Sequence, residues 1–180
     1  MHRETYDIDI AGVKRQLPLF EIKPGLRIAI LNILGDVELV QACARELGVK
    51  LNGTQFDVFV TAEAKSIPLA YALAAEMNKP YVVLRKTYKP YMGAALTAET
   101  LSITTGQPQL LVLDEKDHDL MKGKKVLLVD DVISTGSTLE GLKHLMDKAD
   151  ATVAGEMAVF TEGGDWPGVI SLGHLPLFTD

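Results

Sequence analysis

Two adjacent acidic residues, Asp130 and Asp131, separate an apolar segment from a segment rich in hydroxyl groups. Residues 126–129 are branched and apolar, which is typical of a strand covered on both faces of a parallel sheet. Carboxylates at the end of such a strand can accept hydrogen bonds from sugar hydroxyls or bind a divalent cation. The acid pair therefore predicts a sugar diol, a cation, or both as its partner.

The hydroxyl-rich segment follows shortly after and leads into a predicted amphipathic helix. Its members are Ser134, Thr135, Gly136, Ser137 and Thr138. Glycine lets a ligand approach the backbone closely, and the first N–H groups of a helix have no partner inside the helix. Amides and hydroxyls in this arrangement suit a phosphate. A ligand with a phosphate at one end and a cis-diol one sugar away would satisfy both segments.

Residues 126–138 resemble the signature for 5-phosphoribosyl-1-diphosphate (PRPP) of the type I phosphoribosyltransferases, in which apolar residues and paired acids precede a Ser/Thr/Gly-rich loop. A buried strand before a capped helix would explain only part of this pattern, and a phospho-acceptor site would not need the loop. A Walker phosphate loop is excluded because its Gly-Lys-Ser/Thr ending is missing. The resemblance implies transfer of a 5-phosphoribosyl group from PRPP to a heterocyclic base, with release of pyrophosphate and a need for Mg²⁺.

The same resemblance implies roles for the residues that match the signature. Asp130 and Asp131 would hold the ribose hydroxyls and would contact Mg²⁺ indirectly, through substrate or water. Residues 134–138 would bind the 5-phosphate. Lys89, in a basic segment earlier in the chain, is predicted to be catalytic together with the two acids.

A segment after a predicted strand resembles the pyrophosphate loop of the family. It consists of Glu63, Ala64, Lys65 and Ser66, with Ser66 where glycine is usual. A serine can donate a hydrogen bond to the same anion. In relatives, a cis peptide bond often joins the residues that match Ala64 and Lys65. The alternative for Lys65 is an ordinary solvated lysine.

A basic segment follows the next predicted strand. Its cations are Arg85, Lys86 and Lys89. It resembles a mobile lid that supplies positive charge to the leaving diphosphate and excludes water while the base enters. The alternative is a basic surface loop without a role in the site.

The resemblance implies that the nucleobase lies near residues 161–168. Phe160 is the candidate stacking platform and Glu162 the candidate acceptor of a base N–H, although either could be an ordinary structural residue. Adenine enzymes of the family carry a glutamate that assists the base, and Thr104 stands at that position here. Adenine is the favoured acceptor; orotate, xanthine or another base is an alternative. A PRPP-sensing regulator is a further alternative, but such regulators carry a winged-helix domain, for which the residues before Gly35 are too few.

Length and composition favour one domain over residues 1–180. The chain has 180 residues, 47% of them hydrophobic, a net charge of −6 and a single cysteine, Cys43. The charge argues against nucleic acid and anionic membranes as partners. A lone cysteine fits a reducing compartment, and the polar first residues lack the apolar core of a signal peptide, so a cytoplasmic protein is expected. The resemblance implies PRPP and a nucleobase as ligands and a homodimer as the assembly.

Alternating strand-like and helix-like segments predict an α/β fold with a central, mostly parallel twisted sheet flanked by helices. Residues 5–22 alternate between polar and apolar types, as in an antiparallel hairpin. A helix is predicted to begin after Asp36 and to end at Gly48. Residues 1–34 and 161–180 are predicted to form a small hood.

Overall fold

The computed structural model describes residues 4–101 and 108–179, with only the backbone of Leu101. The β-strands in these ranges are β1 (Thr5–Ile10), β2 (Val13–Lys23), β3 (Leu26–Ala29), β4 (Val58–Ala62), β5 (Tyr81–Leu84), β6 (Leu96–Leu101), β7 (Pro108–Leu113), β8 (Lys125–Ile133), β9 (Thr152–Glu162), β10 (Val169–Leu175) and β11 (Phe178–Thr179). The α-helices are α1 (Val37–Lys50), α2 (Ile67–Met77), α3 (His118–Met121) and α4 (Ser137–Lys148). No helix in the described ranges is long and apolar enough to cross a membrane.

The centre of the fold is a sheet of five parallel strands in the order β10-β9-β8-β4-β5. β4 is buried along its whole length, and residues 126–129 of β8 are also buried. Both strands are mostly branched and apolar because both of their faces are covered. The predicted α/β fold is confirmed. β8 continues past the acid pair to Ile133, so the acids lie within its last residues.

Different elements cover the two faces of this sheet. α1 and α2 pack on one face, in a core that includes Leu47, Leu73 and Leu127. α4 and the antiparallel hairpin β6–β7 pack on the other face, in a core that includes Leu111 and Leu142. The sheet is therefore shielded from water on both sides, and its strand ends are the places where polar side chains can meet a ligand.

A second, antiparallel sheet has the order β1-β2-β3-β11. The β1–β2 hairpin turns at Ala11 and Gly12, whose φ angles of +53° and +81° fit a type I′ turn. The predicted hairpin is confirmed. Residues 161–180 were predicted to contribute to the hood, and within their described part, residues 161–179, only β11 joins this sheet. β9 runs to Glu162, and β10 pairs with it in the central sheet. The small sheet is thus less extensive at its C-terminal end than the hood predicted from sequence.

A cluster of charges connects the small sheet to α1. The guanidinium of Arg15, on β2, donates to both carboxylate oxygens of Asp36, at 2.7 and 2.8 Å, and also to Glu38. Asp36 accepts from the N–H of Leu39 and caps α1, as predicted. Hydrogen bonds from Arg15 hold the pKa of Asp36 below its ordinary value. The orientation of the small sheet therefore depends on the first turn of α1.

The sequence predicted that helix α1 ends at Gly48, but the helix continues to Lys50. Leu47 and Leu51 are both buried, so the two extra helical residues continue the apolar stripe of α1 toward Leu51 in the core. Gly48 is tolerated inside the helix at a cost of roughly 1 kcal/mol relative to alanine.

A glycine in α4 is expected to resist replacement. An alanine Cβ at Gly141 would lie 1.8 Å from Cγ2 of Thr100, on β6, and 3.2 Å from Cδ1 of Leu111. Helix propensity alone would make this substitution stabilising, but the overlap forces β6 away from α4. We expect Gly141→Ala to lower the free energy of unfolding by roughly 1–3 kcal/mol, measured by urea denaturation.

Gly48→Ala in α1 is the matched control, because no atom lies within 4 Å of the added Cβ. This variant should gain roughly 0.5–1 kcal/mol of stability. Adding Thr100→Ala to Gly141→Ala should recover most of the stability that was lost. Equal stabilisation by both glycine substitutions would contradict the close packing of β6 on α4.

Candidate active site

The acid pair lies near the carboxyl end of β8, between the neighbouring strands β4 and β9. The side chain of Asp130 is half-buried, and Asp131 is only 6% exposed. Oδ1 of Asp130 accepts a hydrogen bond from the N–H of Asp131 at 2.8 Å and another from Oγ of Ser66 at 3.3 Å. Because Ser66 ends the loop before α2, the predicted pyrophosphate loop lies directly beside the acids.

Lys65 of the same loop contacts the second acid. Its Nζ lies 3.0 Å from Oδ2 of Asp131 and forms an ion pair with it. The Lys65 side chain is 51% exposed and can therefore reach solvent or a ligand without disturbing the core. A diphosphate would compete with Asp131 for this cation and would leave the carboxylate available to a hydroxyl group.

The protonation of the acid pair reflects its burial. Burial raises the pKa of Asp130 to about 7, and the neighbouring carboxylate of Asp131 adds to the increase. Two full charges at one buried edge are unfavourable unless donors or cations compensate them. The pair consequently favours a ligand that donates hydrogen bonds or carries positive charge.

The hydroxyl-rich segment forms the turn between β8 and α4. Gly136, with a φ angle of +76°, precedes Ser137, the first residue of the helix. No side chain caps α4, so its first N–H groups are open to a ligand. The hydroxyls of Thr135 and Ser137 lie 3.1 Å apart. A cavity of about 30 Å³ is lined by this turn and by Asp130. The turn thus places potential anion donors next to the acids.

The chain matches the family model described as "Phosphoribosyl transferase domain" over residues 32–167. The chain belongs to the phosphoribosyl transferase family. The adenine phosphoribosyltransferase of Thermosipho africanus is 31% identical over 147 residues, which cover 81% of this chain and 83% of that relative. The purine biosynthesis transcriptional repressor PurR of Bacillus subtilis is 31% identical over 145 residues, which cover 80% of this chain and 50% of the repressor. The chain therefore spans about half the length of that regulator.

A solved structure has the same fold. The adenine phosphoribosyltransferase of Thermoanaerobacter pseudethanolicus superposes with a TM-score of 0.70 at 21% identity, covering 88% of this chain and 95% of that chain. The predicted resemblance to type I phosphoribosyltransferases is confirmed at the level of family and fold.

Within the loop that resembles the family's pyrophosphate loop, Glu63 faces cations. Its carboxylate accepts hydrogen bonds from Nε of Arg85, at 2.6 Å, and from the N–H of Lys86. Burial would raise the pKa of Glu63, but these two donors outweigh burial and hold the pKa below its ordinary value. The geometry therefore favours an orienting role for Glu63 rather than direct contact with an anion. The cis peptide bond joins Glu63 and Ala64, one position before the predicted one.

The basic segment, residues 85–93, contacts neighbouring elements near its end. The side chain of Met92 is buried, with 1% of its surface exposed. Glu115 accepts a hydrogen bond from the N–H of Ala94 at 2.8 Å. The side chain of Lys89 is exposed, and no ion pair or hydrogen bond within the described ranges connects it to the acid pair. The role of Lys89 toward the leaving diphosphate therefore stays a prediction.

The two candidate base contacts have different environments. Phe160 is 3% exposed, and its ring packs against Gly173 inside the core. The prediction of a stacking platform is wrong for Phe160, because a stacked base needs an accessible ring face. Glu162 is 6% exposed, and burial raises the pKa of its carboxyl group. It stays a candidate acceptor, since no described residue donates to that carboxyl. Thr104 lies outside the described residues.

One residue near the site was missed from the sequence. The indole of Trp166 packs against Gly136, in the turn between β8 and α4 that is predicted to bind a phosphate and is called the phosphate turn below. Trp166 is the only tryptophan of the chain and follows a glycine-rich stretch at the carboxyl edge of the sheet. These two features could have marked Trp166 as a candidate site residue, but neither indicates which loop its ring contacts.

The acid pair alone does not form a complete metal site. Within residues 4–101 and 108–179, no group of three or more His, Cys, Asp or Glu side chains could hold a metal ion. The chain offers two adjacent carboxylates, with Oδ2 of Asp131 facing Lys65. This donor set fits a cation that is bound through substrate oxygens or water, since hard cations need several oxygen ligands.

The raised pKa of Asp130 predicts a pH-dependent stability. Between the ordinary pKa and about 7, the folded protein binds a proton that the unfolded chain has released, so stability falls as pH rises through this window. The variant Asp130→Asn has no carboxyl group at this position, so its stability should not fall in this way as pH rises. In thermal unfolding, we expect the variant to melt roughly 2–4 °C above the parent protein at about pH 8, with a smaller difference at about pH 5.

Asp36→Asn is the control for this measurement. Arg15 lowers the pKa of Asp36, so this carboxylate contributes stability that is lost only as pH falls below its ordinary pKa. The melting temperature of Asp36→Asn should therefore be lower than that of the parent by a similar amount at about pH 5 and about pH 8. A parallel pH profile for Asp130→Asn and the parent would contradict the burial of a protonated Asp130.

Proposed function

We propose that the protein transfers the 5-phosphoribosyl group of PRPP to a ring nitrogen of a purine, giving a nucleoside 5′-monophosphate and pyrophosphate in nucleotide salvage. The observation that carries this proposal is the meeting of the acid pair, the open N-terminus of α4 and the cation Lys65 at one edge of the sheet. The identity with an adenine phosphoribosyltransferase supports it. A cytoplasmic location is part of the proposal, supported by the single free cysteine, Cys43.

In the proposed reaction, the bond between the anomeric carbon and the diphosphate oxygen breaks, and a bond to the base nitrogen forms. The proton of that nitrogen passes to water or to the departing diphosphate. Asp130 and Asp131 accept hydrogen bonds from the ribose hydroxyls. Residues 134–138 and the first N–H groups of α4 bind the 5-phosphate. Asp130 and Asp131 would hold Mg²⁺ indirectly, through substrate or water, and the ion would supply positive charge to offset that of the leaving group. The protein itself contributes orientation and charge stabilisation.

The diphosphate would be bound by the loop before α2 and by the basic segment. The proposed contacts are the backbone of Ala64, the hydroxyl of Ser66, and the cations Lys65, Arg85, Lys86 and Lys89. Arg85 is already oriented by Glu63, whereas the side chain of Lys89 is exposed to solvent. Positive charge on both sides of the diphosphate would lower the energy of its departure.

The base is proposed to bind beside the carboxyl end of β9. Glu162 lies at the carboxyl end of β9 and is the candidate to accept a base N–H. The small sheet, fixed to α1 through Arg15, is the candidate hood over the base. Adenine is the first choice, and orotate, xanthine and other bases are the alternatives.

The direct test is release of pyrophosphate from PRPP and Mg²⁺ with a panel of nucleobases. Turnover with adenine, and much less with the other bases, is the expected result. Turnover with another base instead of adenine would change the proposed acceptor but would support the proposed reaction. If no base in the panel gives turnover, the proposed activity is rejected.

A second function is a PRPP-responsive regulator without turnover. The similarity to PurR, equal in identity to that of the adenine enzyme, supports this candidate. A regulator would bind PRPP tightly, which calorimetry would detect, yet release no pyrophosphate with any base. The two functions are therefore separated by comparing PRPP binding with turnover on the same preparation.

We expect removal of both acidic charges to abolish most of the activity. In the double variant Asp130→Asn, Asp131→Asn, turnover should fall by on the order of a hundredfold or more, because the ribose loses its charged acceptors. Circular dichroism should show the fold intact. The matched control is Asp147→Asn with Asp150→Asn, which removes two exposed charges at the end of α4. Near-normal turnover in the first pair would reject the assignment of the ribose contacts.

We also propose that the protein is a homodimer through the groove between α1 and α2. This groove, about 550 Å³ in volume, is lined in part by Val37 and Tyr71, which are 66% and 60% exposed. Arg45 and Glu76 also line it, are exposed, and have no ion-pair partner among the described residues. A twofold contact would cover the apolar side chains and pair each Arg45 with Glu76 of the second copy.

Charge reversal tests this interface. Arg45→Glu and Glu76→Arg should each weaken dimerisation by roughly tenfold or more, since each brings like charges together across the twofold axis. The double variant should restore the pairing with the charges exchanged. Sedimentation equilibrium measures all four dissociation constants. Unchanged dimers in both single variants would place the contact elsewhere.

A further inference from the structure

The indole of Trp166 lies directly against the backbone of the phosphate turn. A Cβ built on Gly136 would be 2.6 Å from Cη2 and 2.9 Å from Cζ3 of Trp166. These distances are too short for any side chain, so the ring occupies the space that a side chain at position 136 would need. The φ angle of +76° at Gly136 also favours glycine. The turn and the ring therefore fit each other only because residue 136 has no side chain.

The opposite end of the same ring is fixed to the end of β9. Nε1 of Trp166 donates a hydrogen bond to the carbonyl oxygen of Glu162 at 3.2 Å. That carbonyl also accepts from the N–H of Gly164 at 2.9 Å. The indole also packs against the core on the α4 side of the sheet. Its position is thus determined by contacts that do not depend on a ligand.

The phosphate turn has few other constraints of its own. α4 has no side-chain cap, and Ser134 and Thr135 are exposed. The hydrogen bond between the hydroxyls of Thr135 and Ser137 is also exposed and must compete with water. A helix N-terminus binds an anion well only if its N–H groups already point at the ligand.

We propose that Trp166 is a positioning residue for the phosphate site: it presses on Gly136 and holds the first N–H groups of α4 in the direction of a sugar phosphate. This role rests on the proposed function, since it presumes that a 5-phosphate binds at the turn. The ring does not touch the phosphate, and its N–H is already used by Glu162. Its effect is exerted through the backbone of Gly136.

The test compares two ligands that should occupy different ends of the site. Ribose 5-phosphate should depend on the turn, whereas inorganic pyrophosphate should depend on Lys65 and Arg85. Trp166→Ala should weaken ribose 5-phosphate binding by roughly tenfold and leave pyrophosphate binding unchanged, because a small displacement of the turn misdirects its donors. Trp166→Phe keeps an aromatic ring on Gly136 and should lose less affinity than the alanine variant. Calorimetry measures both ligands on each variant.

The parent protein offers an independent optical signal. It has one tryptophan, so its indole fluorescence reports on this contact alone. Titration with ribose 5-phosphate should change the emission, whereas titration with pyrophosphate should leave it nearly constant.

The possible outcomes separate the two proposals. If the parent protein binds ribose 5-phosphate and Trp166→Ala binds it equally well, the positioning role is rejected and the proposed function stands. If Trp166→Ala binds both ligands more weakly by the same factor, Trp166 has a general structural role, and the positioning role is again rejected. If the parent protein binds no ribose 5-phosphate, the proposed function itself fails, and the role of Trp166 fails with it.

Discussion

Two carboxylates on consecutive residues of a buried strand must be compensated, because they repel each other and have lost most of their hydration. The compensation of Asp130 and Asp131 comes from the loop before α2, which is distant in sequence. Ser66 donates to one acid and Lys65 forms an ion pair with the other. This requirement explains why the loop before α2 lies beside the end of β8 and the turn that follows it. It also explains why the pair suits a ligand rich in hydroxyl groups.

The same site contains cations that are already oriented by acids. Lys65 faces Asp131, and Arg85 faces Glu63. An anionic ligand would replace a carboxylate as the partner of Lys65, so its binding would exchange one ion pair for another instead of creating charge in a buried place. Such an arrangement limits the reorganisation that binding requires, which is the property that makes preorganised electrostatic sites effective.

Glycines set the close approaches that shape the site. Gly141 lets β6 pack tightly on α4, and Gly136 lets Trp166 rest on the phosphate turn. In both cases a backbone without a Cβ accepts a side chain from a distant segment. The direction of α4, and with it the direction of its open N–H groups, therefore depends on residues outside the motif. Arg15 has a comparable effect on the small sheet, which it fastens to the N-terminus of α1.

The sequence by itself determined the alternation of strands and helices, the β1–β2 hairpin, the cap at Asp36 and the chemical character of the turn after β8, because these depend on local residue types and periodicity. Only the tertiary structure decided that Phe160 is a core residue, that the basic segment is held by Met92 and Glu115, that β10 extends the central sheet, and that Trp166 supports Gly136. The physical reason is the same in each case. Burial, register and contact between distant segments depend on which surfaces face each other after folding, and that information is spread over the whole chain and absent from any single motif.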